Sequence, residues 1–344
     1  WNSGTPARFW VEGVSYSIRV RDRLGRQVLY DRDVTSQLPA GSVVMQDGGT
    51  VQDAVAVAPN PIALIASTES YPVGSTIQTA DGFRYTVADP GATDAHVVTA
   101  GGVKLYADTQ DGMDPRALGA PANGTDDDAP FVEKAFTICK KVKLSGGKTY
   151  VWASVIGIPD QTLAADEAHE IVGPGATVIL DGVAAGDAIL TSAAAKANPE
   201  STDNLFTGKV NIFGGIQFQQ RSQSTLVNGD RIYNLKIYGN HFKGVYAIAR
   251  SYRPKTGHQN GYFQSVSITN NHIVQCNWIL WGYKGYNIVI DNNMCEQNTA
   301  GIRLVDPTQI FSAHNLRIVN NLFEGGGQFV RAGNTLAGVF TGNY

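Results

Sequence analysis

Apolar and polar residues alternate through much of this chain, and in its last third the alternation recurs in five octets. They are Leu235–Phe242 (LKIYGNHF), Val266–Ile273 (VSITNNHI), Ile288–Cys295 (IVIDNNMC), Leu316–Phe323 (LRIVNNLF) and Ala337–Tyr344 (AGVFTGNY). Their third positions read Ile237, Ile268, Ile290, Ile318 and Val339, and a strand puts such a residue on one face. Each octet turns at an asparagine: Asn240, Asn271, Asn293, Asn321 and Asn343. Asparagine suits a tight corner because its short side chain tolerates left-handed backbone. The octets start 31, 22, 28 and 21 residues apart. A short strand and turn repeated at this period predicts a solenoid, with the Asn side chains stacked as a hydrogen-bonded ladder. One strand and Asn turn per coil describes a right-handed parallel β-helix. Val210–Gln217 (VNIFGGIQ) reads as a sixth member with Gly215 at the Asn place, and Ala176–Val183 (ATVILDGV) as a still earlier one.

The front of the chain carries a different pattern. Tyr16, Ile18 and Val20 alternate with polar residues, residues 22–25 read as a turn, and Gln27–Tyr30 as the returning strand. Thr50–Val57 reads as a short helix, and Pro59 and Pro61 then break the chain. Residues 75–79 and 83–88 flank the hairpin signal Asp81–Gly82, and a second hairpin joins 97–99 to 103–106. Ala107–Asp114 reads as a linker. The segment GAPANGTDDDAPFVEKAF (119–136) predicts an amphipathic helix opened by Asp carboxylates, with Pro130 in its first turn. A hairpin-like lead-in follows over 142–152. A helix there would cover the open end of the solenoid.

Composition narrows the class. Charged residues make up 17% and there are 38 Gly, which favours turn-rich β structure over helical bundles. The net charge of −3 argues against nucleic-acid binding through a basic face. Cys139, Cys276 and Cys295 have neither metal-type spacing nor an even count, so they read as small buried hydrophobes. No apolar run is long enough to span a membrane, and no metal or cofactor is expected. The chain opens on Trp1 rather than Met, so an upstream segment is left open, and it stops without a polar cap. The expectation is that further protein follows or that another chain covers this end.

The stretch from Ala117 to Trp152 resembles the opening of the pectate-lyase-like β-helix superfamily. The matching residues are Gly119–Ala120, Gly124, Asp127–Asp128, the helix 131–136, and Gly147 with Tyr150–Val151. Ala129–Pro130 depart from the Thr usual after the Asp pair. YSIRVRDRLGRQVLYD resembles the strand–turn–strand of virion-binding domains in bacteriophage tailspikes. GSTIQTADGFRYTVAD followed by TAGGVKLY resembles the module that often precedes tailspike β-helices. The resemblance implies small N-terminal β domains and then the β-helix. The divisions are a virion-binding domain over 1–60, a β module over 61–106, a linker with capping helix and lead-in over 107–152, and the β-helix over 153–344. It also implies a homotrimer on the virion tail, assembled in the host cytoplasm. Such a protein docks to tail or adaptor proteins through its N-terminus and binds capsule or O-antigen polysaccharide at the bacterial surface. Many such tailspikes cleave that polysaccharide.

No catalytic motif carries over, so candidate chemistry comes from register. Glu296 and Glu324 each lie eight residues after an octet start, which places them on neighbouring coils about 4.8 Å apart. Glycoside hydrolysis uses two carboxylates, and like charges that close push one pKa up. Asp306, on an insert after Leu304, is a third candidate. Trp278, Trp281 and Tyr283, with Arg303, are candidate sugar-binding residues, since flat aromatic faces match pyranose C–H faces. Arg253 and His258 sit in the longest insert, read as a surface loop. Asp clusters suited to calcium are absent from the sequence, which disfavours plant-pectin lysis. The expected protein is a tailspike depolymerase, with hydrolysis favoured over lyase chemistry. The alternatives are a non-catalytic adhesive shaft and a secreted bacterial lyase or hydrolase.

Overall fold

The computed structural model describes residues 58–159, 167–181, 188–197, 210–221, 224–229, 231–251, 261–305, 313–327, 329–333 and 335–344. It also describes strands at 16–21, 27–34 and 205–206 by their backbone. The expected turn at 22–25, the helix at Thr50–Val57, and Arg253, His258 and Asp306 lie outside these residues. The chain divides into two units, residues 1–108 and 109–344.

In the first unit Tyr16–Arg21 pairs antiparallel with Gln27–Val34. A second sheet orders Thr76–Gln78, Arg84–Val87, Lys104–Ala107 and Val97–Val98, all antiparallel. Ile77, Tyr85 and Leu105 fill its inner face. Where two prolines read as breakers, the chain forms a short helix, α1 (Pro61–Ile65). Asn60 caps it by accepting from the Ala63 N–H at 2.9 Å, and Pro61 occupies the first turn, where its missing N–H costs nothing.

The second unit is a parallel β-helix. Each coil lays one strand in each of three sheets. The first sheet carries Lys141–Lys143, His169–Val172, Val210–Phe213, Leu235–Tyr238, Tyr262–Thr269, Lys284–Asp291, Ala313–Val319 and Thr335–Thr341. The second runs from Asn123–Asp127 through Thr149–Trp152, Thr177–Leu180, Gln217–Gln220, His241–Lys243, His272–Val274 and Met294–Asn298 to Leu322–Gly326. The third runs from Ile156–Ile158 through Ala188–Ser192, Thr225–Asn228, Ala247–Ser251, Trp278–Gly282 and Ile302–Leu304 to Val330–Ala332. Ile212, Ile237, Ile268, Ile290 and Ile318 stack in register and are 0% exposed. Each such burial contributes roughly 1.5–3 kcal/mol.

Corners are built from left-handed residues at fixed places. Asn234, Ser265, Asn287, Asn315 and Ala337 have φ between 50° and 57°, each one residue before an inward-facing position of the first sheet or its equivalent, and all but Asn234 inside the longer strands named above. Gly239, Asn270, Asn292, Asn320 and Gly342 form a second such column. Gly244, Gln275, Gln297 and Gly325 form a third. Inside the second column runs the asparagine ladder. Asn240, Asn271 and Asn293 each accept, at their Oδ1, an N–H from the coil before, at 3.2, 3.0 and 3.0 Å. Asn321 and Asn343 continue it at 2.9 and 3.0 Å.

Several sequence expectations shift in register. Leu316 pairs with Gly338 and Ile318 with Phe340, so the last octet begins at Gly338 rather than Ala337. Ala337 is its corner residue, and Val339 points outward, 50% exposed, instead of inward. Ile216, not Gly215, donates to Asn240, because Gly214 and Gly215 make that corner one residue longer. Thr177–Leu180 belongs to the second sheet, so Ala176–Val183 is not an octet; His169–Val172 is that coil's first-sheet strand. Lys141–Lys143 and Thr149–Trp152 are not a hairpin but successive strands of the first coil in different sheets. Within Ala107–Asp114, Ala107 closes a strand and fully buried Met113 bridges to Val142, and the division between the two units falls between 108 and 109.

Helix α2 (Ala129–Ile138) lies against Lys141–Lys143 and Ile156–Ile158 and so covers the first coil. It buries Ala129, Val132, Ala135 and Phe136. Of its Asp carboxylates, Asp127 accepts an N–H of the helix start as expected, and Asp128 does not. Asp128 makes no side-chain cap bond; its two oxygens accept from the N–H groups of Ala122 (2.9 Å) and Val151 (2.8 Å). Burial pushes this carboxyl up, against the pull of those two bonds. Asp127 Oδ1 accepts from Ala129 and Ala153 at 3.0 and 2.9 Å. The pair therefore ties the helix start to the Thr149–Trp152 strand.

α3 (Ala193–Ala197) contributes Lys196, which pairs with Glu133 of α2. Cys276 and Cys295 are buried thiols, both pushed up to about 12 by burial. Among the described residues no helix is long and apolar enough to cross a membrane, and no group of three or more His, Cys, Asp or Glu is placed to hold a metal ion.

Candidate functional site

Alternation along the second sheet turns Cys295 inward and Glu296 outward, with Phe323 and Glu324 following the same order one coil on. Glu296 and Glu324 are direct register partners. The preceding coils bring two histidines to the same face. His241 pairs with His272, and their rings meet edge-on with centroids 4.7 Å apart. His272 Nε2 lies 3.2 Å from Glu296 Oε1. Burial lowers the His241 pKa, and the neighbouring His272 and Lys243 lower it further; Glu296 opposes them. The arrangement offers two carboxylates one coil apart, one of them held by an imidazole.

The third sheet carries the aromatic candidates. Trp281 pairs with Arg250 on one side and Arg303 on the other, and Arg303 pairs with Arg331. Trp278 and Trp281 stack with centroids 5.5 Å apart at 28°. The Arg250 guanidinium lies 4.2 Å from the Trp281 ring centroid, and that of Arg303 lies 6.0 Å from Trp278. Tyr246 meets Trp281 edge-on at 6.0 Å. Tyr283 stands half-buried just after the strand.

The structure thus joins Glu296 with Glu324, and Trp278 and Trp281 with Arg303, but on two different sheets. It adds His241, His272, Arg250, Arg331 and Tyr246. The histidines were visible as the seventh positions of their octets. Arg250, Trp281, Arg303 and Arg331 each stand 15 residues after an octet start (250−235, 281−266, 303−288, 331−316), a spacing that marks one column.

No family model matches the chain, and no curated protein does. Solved structures do. The crystal structure of the Acinetobacter baumannii phage AM24 tailspike protein superposes with a TM-score of 0.72 at 28% identity, over 90% of this chain and 53% of that one. The chain therefore spans about half the length of the tailspike it matches. The glycan biofilm modifying enzyme WceF of Pantoea stewartii has a TM-score of 0.42 at 12% identity, covering 92% and 52%. PfbA, a surface adhesin of Streptococcus pneumoniae, has a TM-score of 0.40 at 13% identity, covering 67% and 66%. Fold and comparison together define a class: this is a bacteriophage tailspike-type protein built on a parallel β-helix.

Proposed function

We propose that the chain is the virion-proximal part of a phage tailspike that binds and depolymerises a host surface polysaccharide, capsule or O-antigen. Residues 1–60 dock it to tail or adaptor proteins, 61–106 form a spacer module, and the β-helix trimerises and presents the glycan site. The protein is carried on the virion tail and works at the bacterial surface. One observation carries the enzymatic reading: Glu296 and Glu324 are register partners on an outward face, with His272 against Glu296. Coils stack at about 4.8 Å, close to the roughly 5–5.5 Å between the carboxyls of retaining glycosidases. Glu296, with His272 Nε2 beside its Oε1, serves as nucleophile. Glu324 delivers the proton to the leaving oxygen and then takes one from water. Asp306, on the insert that follows Leu304 in sequence, remains a candidate.

A second reading, an adhesive shaft without turnover, is favoured by the separation of the Trp–Arg surface from the carboxylates on different sheets. Digestion of purified capsular and O-antigen chains, read by mass spectrometry and by absorbance of unsaturated ends, decides between them. Products with added water, lost in Glu296→Gln and Glu324→Gln, support hydrolysis. Unsaturated ends sink the two-carboxylate mechanism. Binding without shortening leaves the shaft.

A further inference from the structure

We infer that the outward column of the third sheet recognises an anionic polysaccharide, its acidic groups held by Arg303 and Arg331 and its sugar ring resting on Trp278 and Trp281. This rests on the polysaccharide reading and adds the charge of the polymer. Arg250, Trp281, Arg303 and Arg331 occupy one register position on four successive coils. Arg250 is spent: it is 5% exposed, with its guanidinium 4.2 Å from the Trp281 ring centroid. Arg303 is half-buried and Arg331 exposed, and both project from the surface. Among the described residues no carboxylate forms an ion pair with either.

Two like charges directly opposite on neighbouring strands repel. An anion between them removes the repulsion, and the guanidinium fork grips a carboxylate or phosphate through two parallel N–H bonds. Beside them the stacked Trp278–Trp281 pair supplies an apolar face, which suits the C–H side of a pyranose. The column runs across the strands, along the axis on which coils repeat, so a polymer lying on it meets a guanidinium on consecutive coils. The net charge of the chain is −3, so this local positive column is not a consequence of a basic protein.

The test measures binding of the full chain to an acidic capsular polysaccharide, to the same polymer with its carboxyls reduced to alcohols, and to a neutral polysaccharide. Arg303→Gln, Arg331→Gln and Arg331→Lys are run alongside, each with its unfolding transition recorded. The expected result is preference for the acidic polymer, weakened by added salt. Carboxyl reduction and each Gln variant then cost about ten- to a hundredfold in affinity, and Arg331→Lys costs less than Arg331→Gln. If carboxyl reduction has no effect on a polymer that carries no phosphate, while both Gln variants weaken binding, the arginines hold neutral hydroxyls and the inference falls. Equal binding of all three polymers, unchanged in the variants, overturns the inference while leaving the polysaccharide function intact. No binding to any polysaccharide, with duplex DNA bound instead, overturns both.

Discussion

The backbone N–H of Asn271 and its side-chain Nδ2 both donate to one atom, Oδ1 of Asn293 on the next coil, each at 3.0 Å. Asn293 in turn donates from Nδ2 to the carbonyls of Ile268 (2.9 Å) and Asp291 (3.1 Å). One buried amide thus satisfies backbone groups on two coils, which a short apolar side chain cannot do. Asn293→Ala strands the Asn271 N–H, a loss of about 1–3 kcal/mol for that group alone. Asn293→Asp keeps the acceptor but points a carboxylate at two carbonyls. Burial raises the pKa of such a group, so its deficit is largest at neutral pH and shrinks as pH falls. Thermal unfolding at pH 7 and pH 4.5 checks both; an Ala variant as stable as the parent overturns the ladder as a source of stability.

Ala337 occupies the corner that Asn fills at 234, 287 and 315, with φ +57°. A Cβ in left-handed backbone costs roughly 1–2 kcal/mol, and Asn escapes part of it by local hydrogen bonding. At the equivalent corners Asn315 Nδ2 already donates to Asn287 Oδ1 at 2.9 Å. Ala337→Asn therefore slows amide exchange in Thr335–Thr341, and Ala337→Val accelerates it. Equal protection in all three proteins would show the corner to be unstrained.

What the sequence made legible was the side of the coil with a strict alphabet. The isoleucine column and the asparagine ladder repeat because a buried position admits few residues, so their spacing survives to be read. The corners were harder. Gly214 and Gly215 lengthen one turn by a residue, and Ala337 stands where Asn is usual, so two octets slipped register. The third sheet carried no alphabet at all: its column reads Arg250, Trp281, Arg303, Arg331, outward residues free to vary in type, and only a count from the octets aligns them. That the carboxylates and the tryptophans lie on different sheets depends on where each coil bends, which the left-handed residues set and local pattern does not announce.

Asp127 and Asp128 look alike in sequence and differ in use. Asp127 accepts both of its bonds at one oxygen, so Asp127→Asn keeps them. Asp128 spends a separate oxygen on each of Ala122 and Val151, so Asp128→Asn turns an NH2 group toward a backbone N–H. The expected outcome is a near-neutral Asp127→Asn and a loss of about 1–3 kcal/mol for Asp128→Asn, measured by urea unfolding. A reversed ranking would mean that the helix cap, not the tie to residues 149–152, sets the stability of this end.

His241 gives the second sheet a defined response to acid. Its folded pKa is lowered, first by burial and then by His272 and Lys243. The unfolded chain titrates near the ordinary histidine value of about 6.5, so below that pH the unfolded state binds more protons than the folded one. The stability contributed by His241 is therefore present above the unfolded value and lost as pH falls through the folded value. His241→Gln removes this dependence, and the difference in melting temperature between parent and variant moves against the parent as pH drops from 7.5 to 5. Glu296→Gln acts in the opposite sense on the same histidine, because the carboxylate offsets part of the lowering of its pKa. Its acid sensitivity should exceed that of the parent. A parent and a His241→Gln variant with parallel pH profiles would show that His241 protonates as freely in the folded protein as in the unfolded chain, and would remove the packing of His241 against His272 as a feature of the site.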